Sequence, residues 1–211
     1  VEWNIGHEVS MEPVDSRMAD LEMSMTGKTG TGTYKQRLAS LSKASFGTAV
    51  LPLEQVRVPA ETLIKVALVT PVDSDNLKVG DTIRYKIADD VIVNGKLVFA
   101  KGLPGEGTVT KVKQARNFGR NAEVNIDFNK TKSIDGTYVD TYVGEEAKKE
   151  MKNLAMAAGA SLAGIAVLGP IGIVAGAFVH GKDVRLTAGT ELYIQTKADT
   201  TLYGVVTTQA Q

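Results

Sequence analysis

Thr62-Leu63-Ile64-Lys65-Val66-Ala67-Leu68-Val69 sets Leu63, Lys65, Ala67 and Val69 on one side of an extended chain and Thr62, Ile64, Val66 and Leu68 on the other. Both sets are mostly apolar, so the stretch reads as a strand buried on both faces. The same period of two continues in short pieces from about residue 50 to 143. Further strands are expected at 82–87, 91–93, 97–100, 107–112, 123–128 and 137–143. Asn94-Gly95 and Asp135-Gly136 sit between them, and such pairs reach the positive φ values that a tight type I′ hairpin turn requires. Regular short spacing of this kind predicts a mainly β fold, a barrel or a sandwich.

Residues 144–181 break the pattern. After Gly144 come Glu145, Glu146, Ala147, Lys148, Lys149, Glu150, Met151 and Lys152, good helix formers that start a helix. Residues 154–179 then carry no charged side chain at all. As one straight helix they would run about 39 Å, more than the roughly 30 Å of a bilayer core. Gly169-Pro170 interrupts them, because proline removes a backbone donor and clashes with the preceding turn. A helical hairpin with arms at 145–168 and 171–180 is therefore expected. Ala155, Gly159 and Ala163 recur at every fourth position, Ala160 and Gly164 form a parallel row, and Gly172 and Gly176 make a further small-xxx-small step. Each glycine costs about 1 kcal/mol against alanine in a helix, so close packing of helices must compensate. In lipid, where hydrophobicity cannot drive association, such ridges supply the contact. The alternative is a hairpin buried over the mouth of a barrel. Strands resume at 184–186, 191–196 and 202–207, which makes 145–180 an insertion in one β-barrel domain spanning 51–211.

Residues 1–50 read as an irregular, Met-rich N-terminal arm. Met18, Leu21, Met23 and Met25 do not hold one helical face, Gly27, Gly30 and Gly32 form a flexible run, and only 34–44 suggests a short helix. Lys and Arg number 24 against 24 Asp and Glu, a balance that argues against a dedicated nucleic-acid binder. The absence of Cys excludes disulfides, thiolate metal sites and a Cys nucleophile. Val1 at the start, with no initiator Met and no basic-then-apolar leader, is expected either from removal of a signal peptide or from trimming of the chain.

Catalytic motifs do not assemble. Thr26-Gly27-Lys28-Thr29 resembles the end of a phosphate-binding loop, but the first glycine would fall at Glu22. Asp73, Asp75 and Asn76 could open a calcium loop, yet Lys78 holds the glycine position and Arg84 that of the closing glutamate. His7 and His180 are far apart, and neither Asp89-Asp90 nor Glu145-Glu146 makes a convergent carboxylate pair. No enzyme, cofactor or metal is expected. Lys111, Lys113, Arg116 and Arg120 form the one basic concentration, a patch that could meet an anionic partner such as a lipid phosphate, with a solvated hairpin as the simpler account.

Pro59-Ala60-Glu61-Thr62, Val79-Gly80-Asp81, Phe118-Gly119-Arg120, Asp135-Gly136, the Gly/Ala-rich insertion, Gly181-Lys182-Asp183-Val184 and Ala188-Gly189-Thr190 occur in the order that resembles the TrbI-like family over about 56–196. That resemblance implies the barrel domain of the envelope-spanning scaffold of conjugation and type IV secretion systems, with an inserted helical pair lining an outer-membrane ring. The insertion is also similar to the glycine-zipper hairpins of outer-membrane proteins. The sequence shows no inner-membrane helix or proline-rich spacer, so a shorter envelope protein sharing the barrel is expected. The expected function is a structural homo-oligomer in the periplasm, outer membrane or cell surface of a double-membraned bacterium. Its partners would be copies of itself, outer-membrane lipid and other envelope proteins. The alternatives are a filament or surface-layer subunit joined through the N-terminal arm, and a monomeric barrel that carries a lipid or small molecule.

Overall fold

The computed structural model describes residues 1–114, 122–157, 165–166, 174–175 and 183–207. Three helices come first, α1 (Glu2–Gly6), α2 (Val14–Thr26) and α3 (Tyr34–Phe46). Nine strands follow: β1 (Leu53–Val58), β2 (Leu63–Leu68), β3 (Val72–Asp73), β4 (Thr82–Ile87), β5 (Val91–Val93), β6 (Lys96–Phe99), β7 (Pro104–Lys113), β8 (Glu123–Lys132) and β9 (Tyr138–Tyr142). Helix α4 (Glu145–Ala157) leads to β10 (Ile165–Ala166), β11 (Val174–Ala175), β12 (Arg185–Leu186), β13 (Glu191–Thr196) and β14 (Thr200–Val206).

The order β8-β7-β4-β2-β13-β9, with β9 paired back to β8, closes six antiparallel strands into a barrel. Strand β2 lies between β13, through Ile64↔Ile194 and Val66↔Leu192, and β4, through Val66↔Ile87 and Leu68↔Tyr85. The seam is made by Lys130↔Asp140 through Lys132↔Tyr138 and by Gln195↔Tyr142. Alternation along each strand sends Ile64, Ile83, Tyr85, Phe128, Leu192 and Ile194 inward, all fully buried. Lys65, on the other face of β2, is held by Glu191 at 2.9 Å and Asp89 at 3.4 Å, so that face is apolar only in part.

Tyr85 is the polar exception inside the barrel. Its hydroxyl lies 2.8 Å from Thr131 Oγ1 and 3.2 Å from the Lys130 carbonyl, and its ring stands edge-on to Phe128. Burial pushes the phenol up to about 12. Gly105 faces it from β7, where a Cβ would stand 2.3 Å from the Tyr85 ring. Only glycine fits opposite that ring.

A second sheet, β1-β14-β6-β5, covers the barrel. Val56, Val58, Val98 and Leu202 join the barrel core, while Leu97, Ala100 and Val205 pack the other way against Val9, with Trp3 and Phe46 beside it. Asn94 and Gly95 both take positive φ (50° and 73°) in the β5–β6 turn, as a type I′ turn requires. At the β8–β9 connection only Gly136 does (88°), so the type I′ expectation fails there. The loop is longer, and the Asp135 carboxylate brackets it by accepting from the Ser133 hydroxyl and Thr137 N–H, then ties it to β14 through Tyr203 N–H.

The arm is not irregular. Thr33 and Gln36 form a capping box at α3, and α2 and α3 are joined by a two-toothed ion pair, Arg37 Nε to Glu22 Oε1 at 2.8 Å and Arg37 Nη2 to Oε2 at 2.7 Å. Glu22 also accepts from Gly30 N–H, and the bonding from Arg37 holds its carboxyl below the usual range. An apolar stripe does not reveal such a helix, because part of its inward face is a charge. The arm docks on the barrel through Val9 N–H to the Lys101 carbonyl and Glu8 to Lys86, both short.

The insertion departs from a helical hairpin. Its first part is helix α4, but Ile165–Ala166 and Val174–Ala175 are paired strands, and Ala175 adds to β8 opposite Val124. Branched Ile165 and Val174 lose side-chain freedom in a helix, and the unpaired edge of β8 supplies backbone partners.

Tyr85→Phe removes the hydroxyl that Thr131 and the Lys130 carbonyl share and should lower stability by about 1–2 kcal/mol. The expected readout is a lower urea midpoint at unchanged slope.

Candidate functional site

The insertion leaves and re-enters the barrel at two clamped points. Gly144 lets the chain pass close to Gln195, since a Cβ there would stand 2.4 Å from that side chain. Gln195 is 1% exposed and bonded at both ends of its amide: Oε1 accepts Ala147 N–H at 3.0 Å and Nε2 donates to the Tyr142 hydroxyl at 3.0 Å. It thus satisfies an N–H in the first turn of α4, where the helix itself offers no acceptor. Glu145 and Glu146 sit where a helix start favours negative charge, and pair with Lys148 and Lys149. Ala147 and Met151, one turn apart, are buried in the barrel core cluster. On return, Val184 N–H donates to Ser74 Oγ and Ser74 N–H to the Val184 carbonyl, while β12 pairs with β3.

Beside this stem a two-stranded ribbon extends past the barrel. Strand β4 accompanies β7 only as far as Val109, yet β7 and β8 stay paired through Lys111↔Asn125, Val112↔Val124 and Lys113↔Glu123. Glu123 holds both lysines, Lys111 at 2.6 Å and Lys113 at 3.3 Å, and the bonding from Lys111 keeps its carboxyl below the usual range. Two basic side chains therefore share one carboxylate, leaving a reduced positive field. Val124 of the same ribbon receives Ala175. Strand β8 therefore lies between Ala175 of the insertion and the two lysines of β7, a proximity created by long-range pairing that no local spacing encodes.

Of the small residues proposed for packing, Ala155 lies in α4. Gly159, Ala163, Gly164, Gly172 and Gly176 lie outside the described residues, as do Arg116 and Arg120 of the basic patch. Asp89 pairs with Lys65, whereas Asp90 accepts from Trp3 Nε1 and Lys101 N–H. Asp75 and Asp183 flank Arg185 at 3.2 and 3.7 Å, which accounts for the acidic turn. Among the described residues there is no group of three metal-ligating side chains, and no helix is long and apolar enough to cross a membrane.

Because the Glu123 carboxyl is lowered from its ordinary value of 4.5, its stabilisation is complete above that pH and is lost as pH falls below it. Glu123→Gln should flatten the acid-side fall of the unfolding midpoint while leaving the neutral-to-alkaline limb parallel to the parent. Chemical denaturation at a series of pH values measures both.

No family model matches the sequence, and no curated protein matches it. Among the solved structures that match is ComB10 of the Com type IV secretion system of Helicobacter pylori. It is 14% identical, with 68% of this chain and 88% of that chain covered and a TM-score of 0.35. Identity and overlap at that level carry no argument about function.

Proposed function

We propose that this chain is a structural, non-enzymatic subunit that assembles with copies of itself through its apolar insertion, in the envelope of a double-membraned bacterium. One observation carries the proposal. Strands β9 and β13 pair directly at Gln195↔Tyr142, so the barrel closes without the intervening residues. Adjacent antiparallel strands need as few as two linking residues. Here the link contains an uncharged run, 154–179, mounted on a stem that Gln195 and Ser74 clamp at both feet. A large apolar segment that its own barrel does not need for closure is suited to a neighbour or to lipid. Outer-membrane lipid and other envelope proteins are its further partners, and the periplasm or outer membrane its location.

Two other readings lose support. A carrier barrel needs an internal cavity, whereas among the described residues Tyr85, Phe128 and the aliphatic side chains around them form a buried core. A filament joined through the arm needs that arm free, and it is docked on its own barrel through Glu8 and Val9.

Gly164→Val and Gly176→Val are expected to convert detergent-purified oligomers to monomers while the near-ultraviolet signal of the Tyr85–Phe128 core is kept. Light scattering provides the readout, and unchanged oligomers in both variants would overturn the proposal.

A further inference from the structure

The N-terminal helices do not seal completely against the second sheet. Between them lies a cavity of about 530 Å³, within the size range of small-molecule sites. Trp3 and His7 come from α1 and its end, Phe46 closes α3, and Asp90 and Ile92 come from the edge of the second sheet. The Trp3 and Phe46 rings, the His7 imidazole and one carboxylate thus line a single space.

Asp90 lacks a counter-charge. Its Oδ2 accepts Trp3 Nε1–H at 2.8 Å and its Oδ1 accepts the Lys101 backbone N–H at 2.7 Å, both neutral donors. No ion pair among the described residues includes it, whereas Asp89, Glu8 and Glu123 each find a lysine. A carboxylate offers about four acceptor positions, so roughly half of its capacity is unused. The remaining acceptor positions face the space beside it, where a cationic group can reach them.

The walls are held in place. His7 stands edge-on to Trp3 at 5.5 Å and 90°, from a backbone with φ 52°, a left-handed conformation that glycine adopts more readily. Asn4 Nδ2 donates to the Ser45 carbonyl and hydroxyl, both at 3.0 Å, which latches α1 to the end of α3 and fixes Trp3 relative to Phe46.

We propose that this cavity binds a small organic cation, an ammonium or quaternary ammonium group held against the Trp3 and Phe46 rings and neutralised by Asp90. Ring faces attract cations through their quadrupole, and the carboxylate adds charge at short range. An anion is repelled there, and a neutral molecule gains neither attraction. One half of the site belongs to the arm and the other to the second sheet, so occupancy fastens the arm to the barrel.

Trp3 is the only tryptophan in the chain, so its fluorescence reports on this cavity directly. Choline is the probe, with its neutral isostere 3,3-dimethylbutan-1-ol and sodium chloride at equal ionic strength as controls. Choline should give a saturable change and the controls none. Asp90→Asn, whose single amide oxygen can accept from the Trp3 N–H but leaves the Lys101 N–H without its acceptor, should weaken choline binding by about tenfold or more. Saturating choline should also slow proteolysis in the exposed linker at 47–50. The absence of a saturable response in the wild-type protein, an equal response to the alcohol, or unchanged binding by Asp90→Asn would each overturn the proposal. If Asp90→Asn releases the arm, seen as fast cleavage without ligand, the wild-type comparison of choline with its isostere decides the matter.

Discussion

Closure of the six-stranded barrel is the constraint on which the rest of the molecule depends. Once β9 pairs with both β8 and β13, the ring is closed except where the β7–β8 ribbon runs past it, and Tyr85, Phe128 and the aliphatic side chains around them form its core. Every other part must then attach from outside. The second sheet does so through Val56, Val98 and Leu202, and the arm through Val9 on the far side of that sheet. The insertion does so through the stem helix and the β3–β12 pair.

Polar side chains fasten these attachments, and each does more than one task. Gln195 is a barrel residue that also serves the first turn of α4. Asp135 orders the β8–β9 loop and reaches Tyr203 of the covering sheet. Glu22 joins two helices and the loop between them. Such groups are buried or half-buried and satisfied, the condition under which a polar network specifies one arrangement.

The strands were legible because their alternation is local. Strands at 82–87, 91–93 and 191–196 have the bounds expected from the sequence, since apolar residues at every second position and a glycine turn decide them. Strands β1 and β3 were not assigned: β1 exposes Leu53, Glu54, Gln55 and Arg57, and β3 is only two residues long. Helix α2 leaves no apolar stripe in the sequence because buried Glu22 interrupts its face, and the Asp135-Gly136 turn is tied to Tyr203, far along the chain, which no local dipeptide reveals. The insertion was recognised by composition, which gives polarity but not conformation, and strand pairing at Ala175 depends on an edge supplied by β8. In the sequence Asp90 is only half of an adjacent carboxylate pair. Its place in an aromatic cavity arises from the docking of an arm whose helices leave no continuous apolar stripe in the sequence.

Imaging of the detergent-purified particle bears most directly on the claim that the insertion exists for assembly. The account predicts a rotationally symmetric ring of barrels with a detergent belt or shared density at the end from which residues 154–179 emerge. A monomer without a belt, with those residues folded against their own barrel, would contradict it.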